Sequence, residues 1–234
     1  MTSTTGKSAF RQGVLAGLPF ILVAFPFATL FGVLAAEAGL SVAMAMGFSI
    51  VVIAGAAQFT ALQLMLENAP VWIIMSASLA VNLRMAMYSA ALVPHLGAAP
   101  FWQRALVGYV NFDQSYAVAI VKYEDAPEMS VADKVGYFLG AVVPVVPAWF
   151  LGTLFGAIVG SQIPDWLALD FAMPILFLSL VAPMMKTVAH LAAAGTSIVV
   201  ALALGFMPSG TAVLIAGLAA MMVGAEVERR KGRA

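Results

Sequence analysis

Apolar residues run through this chain in long stretches with no polar face, and the polar positions fall in short strings between them. A helix needs about 20 apolar residues to cross a bilayer. By that length the pattern predicts eight spans, near residues 13–36, 41–66, 70–93, 101–121, 134–160, 171–186, 190–206 and 209–225. The strings between them carry turn chemistry: Gly39-Leu40-Ser41, Glu67-Asn68-Ala69-Pro70, Pro94 to Pro100, Lys122 to Lys134, and Gly160 to Asp170. The last two spans are short, and a re-entrant hairpin is the alternative for them.

Composition supports the membrane as solvent. The chain is 63% hydrophobic and 9% charged, against about 25% charged in a soluble domain. The predicted class is an all-α, polytopic transmembrane bundle, forming a single integral membrane domain over 1–234. A signal peptide is the alternative reading of the N-terminus, with Lys7 and Arg11 before the apolar run and Ala36-Glu37-Ala38 resembling a cleavage site. However, the run from Gly13 to Ala36 exceeds an h-region of about 7–15 residues and is read as the first span. Basic residues orient the spans. With both termini cytoplasmic, eight spans place Lys7, Arg11, Lys122, Lys134, Lys186, Arg229, Arg230, Lys231 and Arg233 inside and leave Arg104 outside. Seven spans is the alternative, and it moves the basic tail across the membrane.

Thr29-Leu30-Phe31-Gly32 in the first span recurs as Thr153-Leu154-Phe155-Gly156 in the fifth. Each copy follows two prolines, Pro19 and Pro26 in one case, Pro144 and Pro147 in the other. The recurrence suggests duplicated halves near 13–121 and 134–225, which with four spans each would run parallel. A proline removes a backbone donor and disrupts the preceding turn. These four positions are therefore candidate helix breaks, read either as packed kinks or as broken helices that expose backbone dipoles. Gly13 and Gly17, then Gly136, Gly140, Gly152, Gly156 and Gly160, stand at four-residue spacing, which lets helix backbones touch. Those glycines are read as packing.

Polar groups inside spans are the candidate site. Arg84 lies mid-span, where a charge costs roughly 2.5–3.5 kcal/mol on insertion scales. Tyr88 stands one turn on. Asn82 lies on another stripe of the same helix with Ser78 and Ser89 if that helix is continuous; unwinding near Asn82 is the alternative. Gln58 follows four small residues, Ala54 to Ala57. The fourth span carries Asn111, Asp113, Gln114 and Ser115. Asp113 is the only acidic residue well inside a span, so pairing with Arg84 is predicted, directly or through water. The candidate substrate-binding or translocation residues are Gln58, Asn82, Arg84, Tyr88, Asp113 and Gln114.

Enzyme signatures are absent: no HExxH, no GxSxG and no intramembrane aspartate pair. No catalytic residue, metal site or cofactor is expected. With no Cys there is no thiol chemistry, and no distributed basic face suits nucleic acid.

The strings Ile53-Ala54-Gly55-Ala56-Ala57-Gln58-Phe59, Val81-Asn82-Leu83-Arg84, Tyr88 to Leu92, Pro94 and the Asp113 segment together resemble the AzlC/YgaZ family. Phe10-Arg11, Gly17-Leu18-Pro19, Pro26-Phe27 and Gly39-Leu40-Ser41 resemble it too. The resemblance implies the large subunit of an exporter of valine, leucine or isoleucine in the bacterial inner membrane. It also implies a small membrane partner of the AzlD/YgaH type. The family often has His where this chain has Met85, and an acidic pair where it has Asp113-Gln114. A transporter or channel for another small solute, or a non-transporting assembly subunit, is the alternative. A homo-oligomer stays open.

Overall fold

The computed structural model describes residues 6–160, 185, 187–207 and 211–231, and every regular element among them is a helix. These are α1 (Gly6–Gly17), a 3-10 turn (Leu18–Phe20), α2 (Ile21–Glu37), α3 (Val42–Val51), α4 (Gly55–Leu66), α5 (Val71–Leu96), α6 (Phe101–Tyr109), α7 (Asp113–Asp125), α8 (Val131–Val142), α9 (Val145–Gly160), α10 (Val188–Ala203) and α11 (Thr211–Lys231). Four segments are long and apolar enough to cross a membrane: Ser8–Glu37, Val71–Leu96, Val131–Gly160 and Thr211–Lys231. The expected span 171–186 lies outside the described residues.

Two predicted strings end helices by the same device. Gly39 takes φ 78° and Asn68 φ 55°, the left-handed conformation that closes a helix C-terminus. After Gly39, the Leu40 N–H reaches Ala35 O and the Gly39 N–H reaches Ala36 O; after Asn68, Ala69 reaches Leu64 and Asn68 reaches Met65. Each turn thus satisfies carbonyls that the helix would otherwise leave unpaired. Ser41 then caps α3 by accepting from the Met44 N–H, and Ser130 caps α8 by accepting from Asp133.

Two predicted spans are broken by an extended residue. The span at 41–66 is interrupted between α3 and α4, where Val51-Val52-Ile53 places three β-branched residues in a row and Val52 turns extended (φ −131°, ψ 95°). Such residues are weak helix formers. The span at 101–121 is interrupted between α6 and α7, where Phe112 is extended (φ −139°, ψ 172°). By contrast α5 runs unbroken through Asn82, so the unwinding considered there does not occur.

The chain divides into two compact units, Met1–Gln58 with Val81–Ile163 and Phe59–Ala80 with Pro164–Ala234. In the first, α1 packs on α8 and α2 packs on α9. A Cβ at Gly152 would press on Phe25, one at Gly156 on Thr29 and one at Gly160 on Val33. Contacts advance four residues on both helices, so α2 and α9 run parallel. The repeated tetrapeptides meet at this crossing: Gly32 lies against the Thr153 carbonyl, and Gly156 against the Thr29 carbonyl. Gly13 against Tyr137 and Gly140 against Phe10 extend the seam to α1 and α8. In the second unit α10 packs on α11, and Leu64, Ala69, Ile73 and Ala77 form a small apolar cluster.

The four prolines fall at different kinds of position. Pro19 sits in the 3-10 turn that separates α1 from α2, and Pro26 lies within α2. Pro144 occupies the turn between α8 and α9; Pro147 is in the first turn of α9, where no intrahelical donor is needed.

Candidate functional site

The interruption between α6 and α7 is held against α5 by a small set of polar contacts. Gly108, Asn111 and Asp113 surround the break, and all three favour helix termination or initiation over continuation. Ser115 closes it: its Oγ accepts from the Phe112 N–H at 2.9 Å and lies 2.9 Å from the Phe112 carbonyl, to which it donates. Asn111 then reaches out to α5, donating through Nδ2 to Ser89 Oγ at 3.2 Å and to the Met85 carbonyl at 3.4 Å.

This break turns Asp113 into the first residue of α7, not a mid-span carboxylate as the continuous span would have it. The first turn of a helix favours an anion by roughly 0.3–1 kcal/mol. One carboxylate oxygen lies 3.2 Å from Arg84 Nη1. The other accepts from the Tyr88 hydroxyl at 2.9 Å. Arg84 and Tyr88 are one turn apart on α5, so a single helix face supplies both partners. The Tyr88 ring stacks on Tyr116 of α7 with centroids 4.3 Å apart and planes within 8°. Two side chains of α5, one of them braced by a ring of α7, thus fix one carboxylate.

The pair is not sealed. The Arg84 and Asp113 side chains keep 26% and 41% of their exposure. Arg84 Nε and Asn111 Oδ1 are buried and have no hydrogen-bond partner among the described residues. A donor and an acceptor are therefore unused within the same cluster.

Gln58, 1% exposed, belongs to a different polar chain. Its Nε2 lies 3.1 Å from Ser49 Oγ, which lies 2.8 Å from Thr153 Oγ1, which lies 3.0 Å from the Trp149 carbonyl. A carbonyl can only accept, so Thr153 donates to it. Ser49 must then donate to Thr153 and accept from Gln58. The chain ties α3, α4 and α9 together, and Gln58 Oε1 remains without a partner among the described residues. The Tyr109 hydroxyl at the end of α6 also donates to the Ile50 carbonyl near the end of α3. The two interrupted spans are thereby linked.

The predicted residues therefore divide. Arg84, Tyr88 and Asp113 meet, and the predicted ion pair is direct. Gln58 bonds elsewhere. Asn82, on α5, has its Oδ1 buried and unpartnered, and Gln114, next to Asp113 on α7, makes no side-chain hydrogen bond among the described residues. Asn111, Ser49 and Thr153 are the polar groups that the candidate set leaves out. Asn111 had a signal: Asn-x-Asp followed by Ser115 reads as a helix start.

The family model described as AzlC protein matches residues 19–163, a range that holds both interrupted spans, the ion pair and the Gln58 chain. The chain belongs to the AzlC family. An uncharacterized membrane protein of Archaeoglobus fulgidus is 29% identical over 210 residues, covering 87% of this chain and 88% of that protein. The inner membrane protein YgaZ of Escherichia coli K12 is 26% identical over 183 residues, covering 74% of this chain and 72% of its own. An uncharacterized membrane protein of Helicobacter pylori is 25% identical over 175 residues, covering 74% and 73%. No solved structure matches the chain. This AzlC-family chain is thus an integral membrane protein, and its matched region contains the Arg84–Asp113 pair.

Proposed function

We propose that the chain is the large subunit of a secondary-type exporter that moves valine, leucine or isoleucine outward across the bacterial inner membrane. A small membrane subunit of the AzlD/YgaH type would complete it. The inner-membrane placement leans on the printed name of the Escherichia coli relative. The observation that carries the reading is the half-open Arg84–Asp113 pair at a helix break. A zwitterionic solute needs a cation for its carboxylate and an acceptor for its ammonium, and this pair offers both. Burying either charge alone is costly, so exchanging one partner for the matching end of a substrate keeps both neutralised through the cycle. Such an exchange would couple substrate occupancy to separation of α5 from α7, as alternating access requires. No nucleotide-binding motif occurs in the sequence, so the driving force would be an ion gradient, with protons the natural candidate. The reading makes the chain a carrier and not an enzyme.

Cells fed branched-chain dipeptides test it. Wild type should lower internal valine, and Arg84→Ala should not. Labelled valine counterflow in proteoliposomes, with and without the small partner, separates a carrier from an assembly subunit: absence of counterflow in both preparations removes the proposal.

A further inference from the structure

The helix directions around the break bring both ends of α6–α7 to the same end of α5. Asp113, at the start of α7, meets Arg84 and Tyr88, and the ring of Tyr123, near its end, lies 5.2 Å from the His95 ring. Contacts advance together on both helices, so α7 runs parallel to α5. α6 runs back: it starts just past Leu96, and Asn111 beyond its far end reaches Met85 and Ser89. With 9 and 13 residues, α6 and α7 are about 14 and 20 Å long, short of a bilayer core of about 30 Å. The Tyr123 hydroxyl donates to the Lys134 carbonyl in the first turn of α8. α1 runs parallel to α8, with Gly13 against Tyr137 and Gly17 against Ala141, so α1 starts at this same end.

A half-open cleft of about 300 Å³ lies between α5 and α6, from Ser89 and Gly108 near the tip of the hairpin to Arg104 near its mouth, with apolar walls at Leu92, Val93 and Val107. Arg104 is exposed and has no ion pair or side-chain hydrogen bond among the described residues. No acidic residue occurs from Val71 to Phe112, so neither α5 nor α6 can supply one. Phe101 and Trp102, just before it, are exposed, as aromatic residues at a membrane interface are. We infer that α6–α7 is a re-entrant hairpin entering from the face of the membrane that carries the N-terminus, and that the α5–α6 cleft binds one anionic phospholipid of that leaflet. The span predicted at 101–121 then does not cross, and Arg104 joins Lys122 and Lys134 on one face. Apolar walls take an acyl chain and repel a free inorganic anion, while the guanidinium takes a phosphate in fork geometry. A zwitterionic headgroup would bring a second cation beside Arg104, which favours an anionic one. The inference does not rest on the exporter reading.

Two readouts on the full chain test it. The chain has no Cys, so Arg104→Cys and Lys122→Cys each carry a single thiol. A membrane-impermeant maleimide, applied to intact cells and to inverted vesicles, should reach both from the same face. Labelling from opposite faces would overturn the inference. Purified protein given equal phosphatidylglycerol and phosphatidylcholine should retain one phosphatidylglycerol in native mass spectrometry. Arg104→Gln should weaken that retention roughly ten- to hundredfold, and Arg104→Lys should keep part of it. A Cβ at Gly108 meets nothing within 4 Å, so Gly108→Leu fills the cleft without a clash or a change of charge and should weaken retention too. Equal retention of the two lipids, wild-type retention by Arg104→Gln, or wild-type retention by Gly108→Leu would each overturn the site. Displacement by inorganic phosphate at the lipid's own concentration would do so as well, assigning Arg104 to a soluble anion. Valine counterflow is read separately: its absence, with lipid retention intact, removes the exporter reading and leaves the lipid site standing.

Discussion

The crossing of α2 with α9 and the meeting of α5 with α7 are two helix contacts in one unit, built on opposite principles. At the first, glycines bring backbone onto backbone, and a Cβ at Gly32 or Gly156 would overlap the opposing threonine carbonyl. Ala28, Phe31 and Thr153 beside it are fully buried. At the second, the contact is carried by side-chain tips: a guanidinium, a phenol, a carboxylate and an amide. Interfaces made by close backbone approach leave no room for a solute and no group free to bind one. Interfaces made by long polar side chains leave both. Rigidity and chemistry are thus assigned to different helix pairs, as the proposed carrier would need in order to open along one seam while holding along another.

Enlarging the tight seam should do the most damage. Gly156→Leu pushes a branched side chain into the Thr29 carbonyl, and overpacking of that kind costs about 1–3 kcal/mol or more. Loss of folded protein from detergent extracts, read by fluorescence-detected size exclusion, is the expected result; a monodisperse Gly156→Leu protein with a wild-type melting curve would erase the contrast drawn above. Arg84→Ala should do the reverse, leaving a folded protein whose valine efflux falls roughly ten- to hundredfold, the scale of a lost charged hydrogen bond. Exchanging the charges, Arg84→Asp with Asp113→Arg, should return membrane assembly to normal without returning efflux. An unstable double variant beside two equally unstable single variants would argue against the pairing as the basis of assembly.

Thr153→Val tests whether the Gln58 chain belongs to the tight seam. It strands the Ser49 hydroxyl, an unsatisfied buried group that costs about 1–3 kcal/mol, so the melting temperature should drop while the substrate concentration at half-maximal counterflow stays put. A change in that concentration would move the chain into the transport site. Tyr88→Phe, the mildest change, removes one hydrogen bond to Asp113 and keeps the Tyr116 stack. A several-fold loss of efflux with unaltered stability is expected, measured against wild type in the same counterflow assay.

The sequence makes much of this plain because membrane burial is costly for few, nameable groups. Arg84 and Asp113 are identified by the cost of leaving either alone, and their contact follows. The glycine spacing announces the tight seam for a similarly local reason. The interruptions are harder to read. Prolines draw attention to α1–α2 and α8–α9, where the breaks help α1 and α2 follow α8 and α9. The breaks beside the polar groups, at 52–54 and 110–112, contain no proline at all. They arise from β-branched residues and from an Asn-x-Asp start that hydropathy averages into one apolar run. Gln58 shows another limit: a span pattern places an amide at mid-depth but says nothing of which hydroxyls it will meet, since Ser49 and Thr153 lie 104 residues apart.

That hydroxyl chain has a polarity of its own. Each link hands its hydrogen toward Trp149, and the terminal carbonyl cannot hand one back. The amide at the far end is therefore locked like a key turned one way, its nitrogen toward Ser49 and its oxygen left without a partner among the described residues. A glutamate substituted there would have to take up a proton to keep its grip on Ser49.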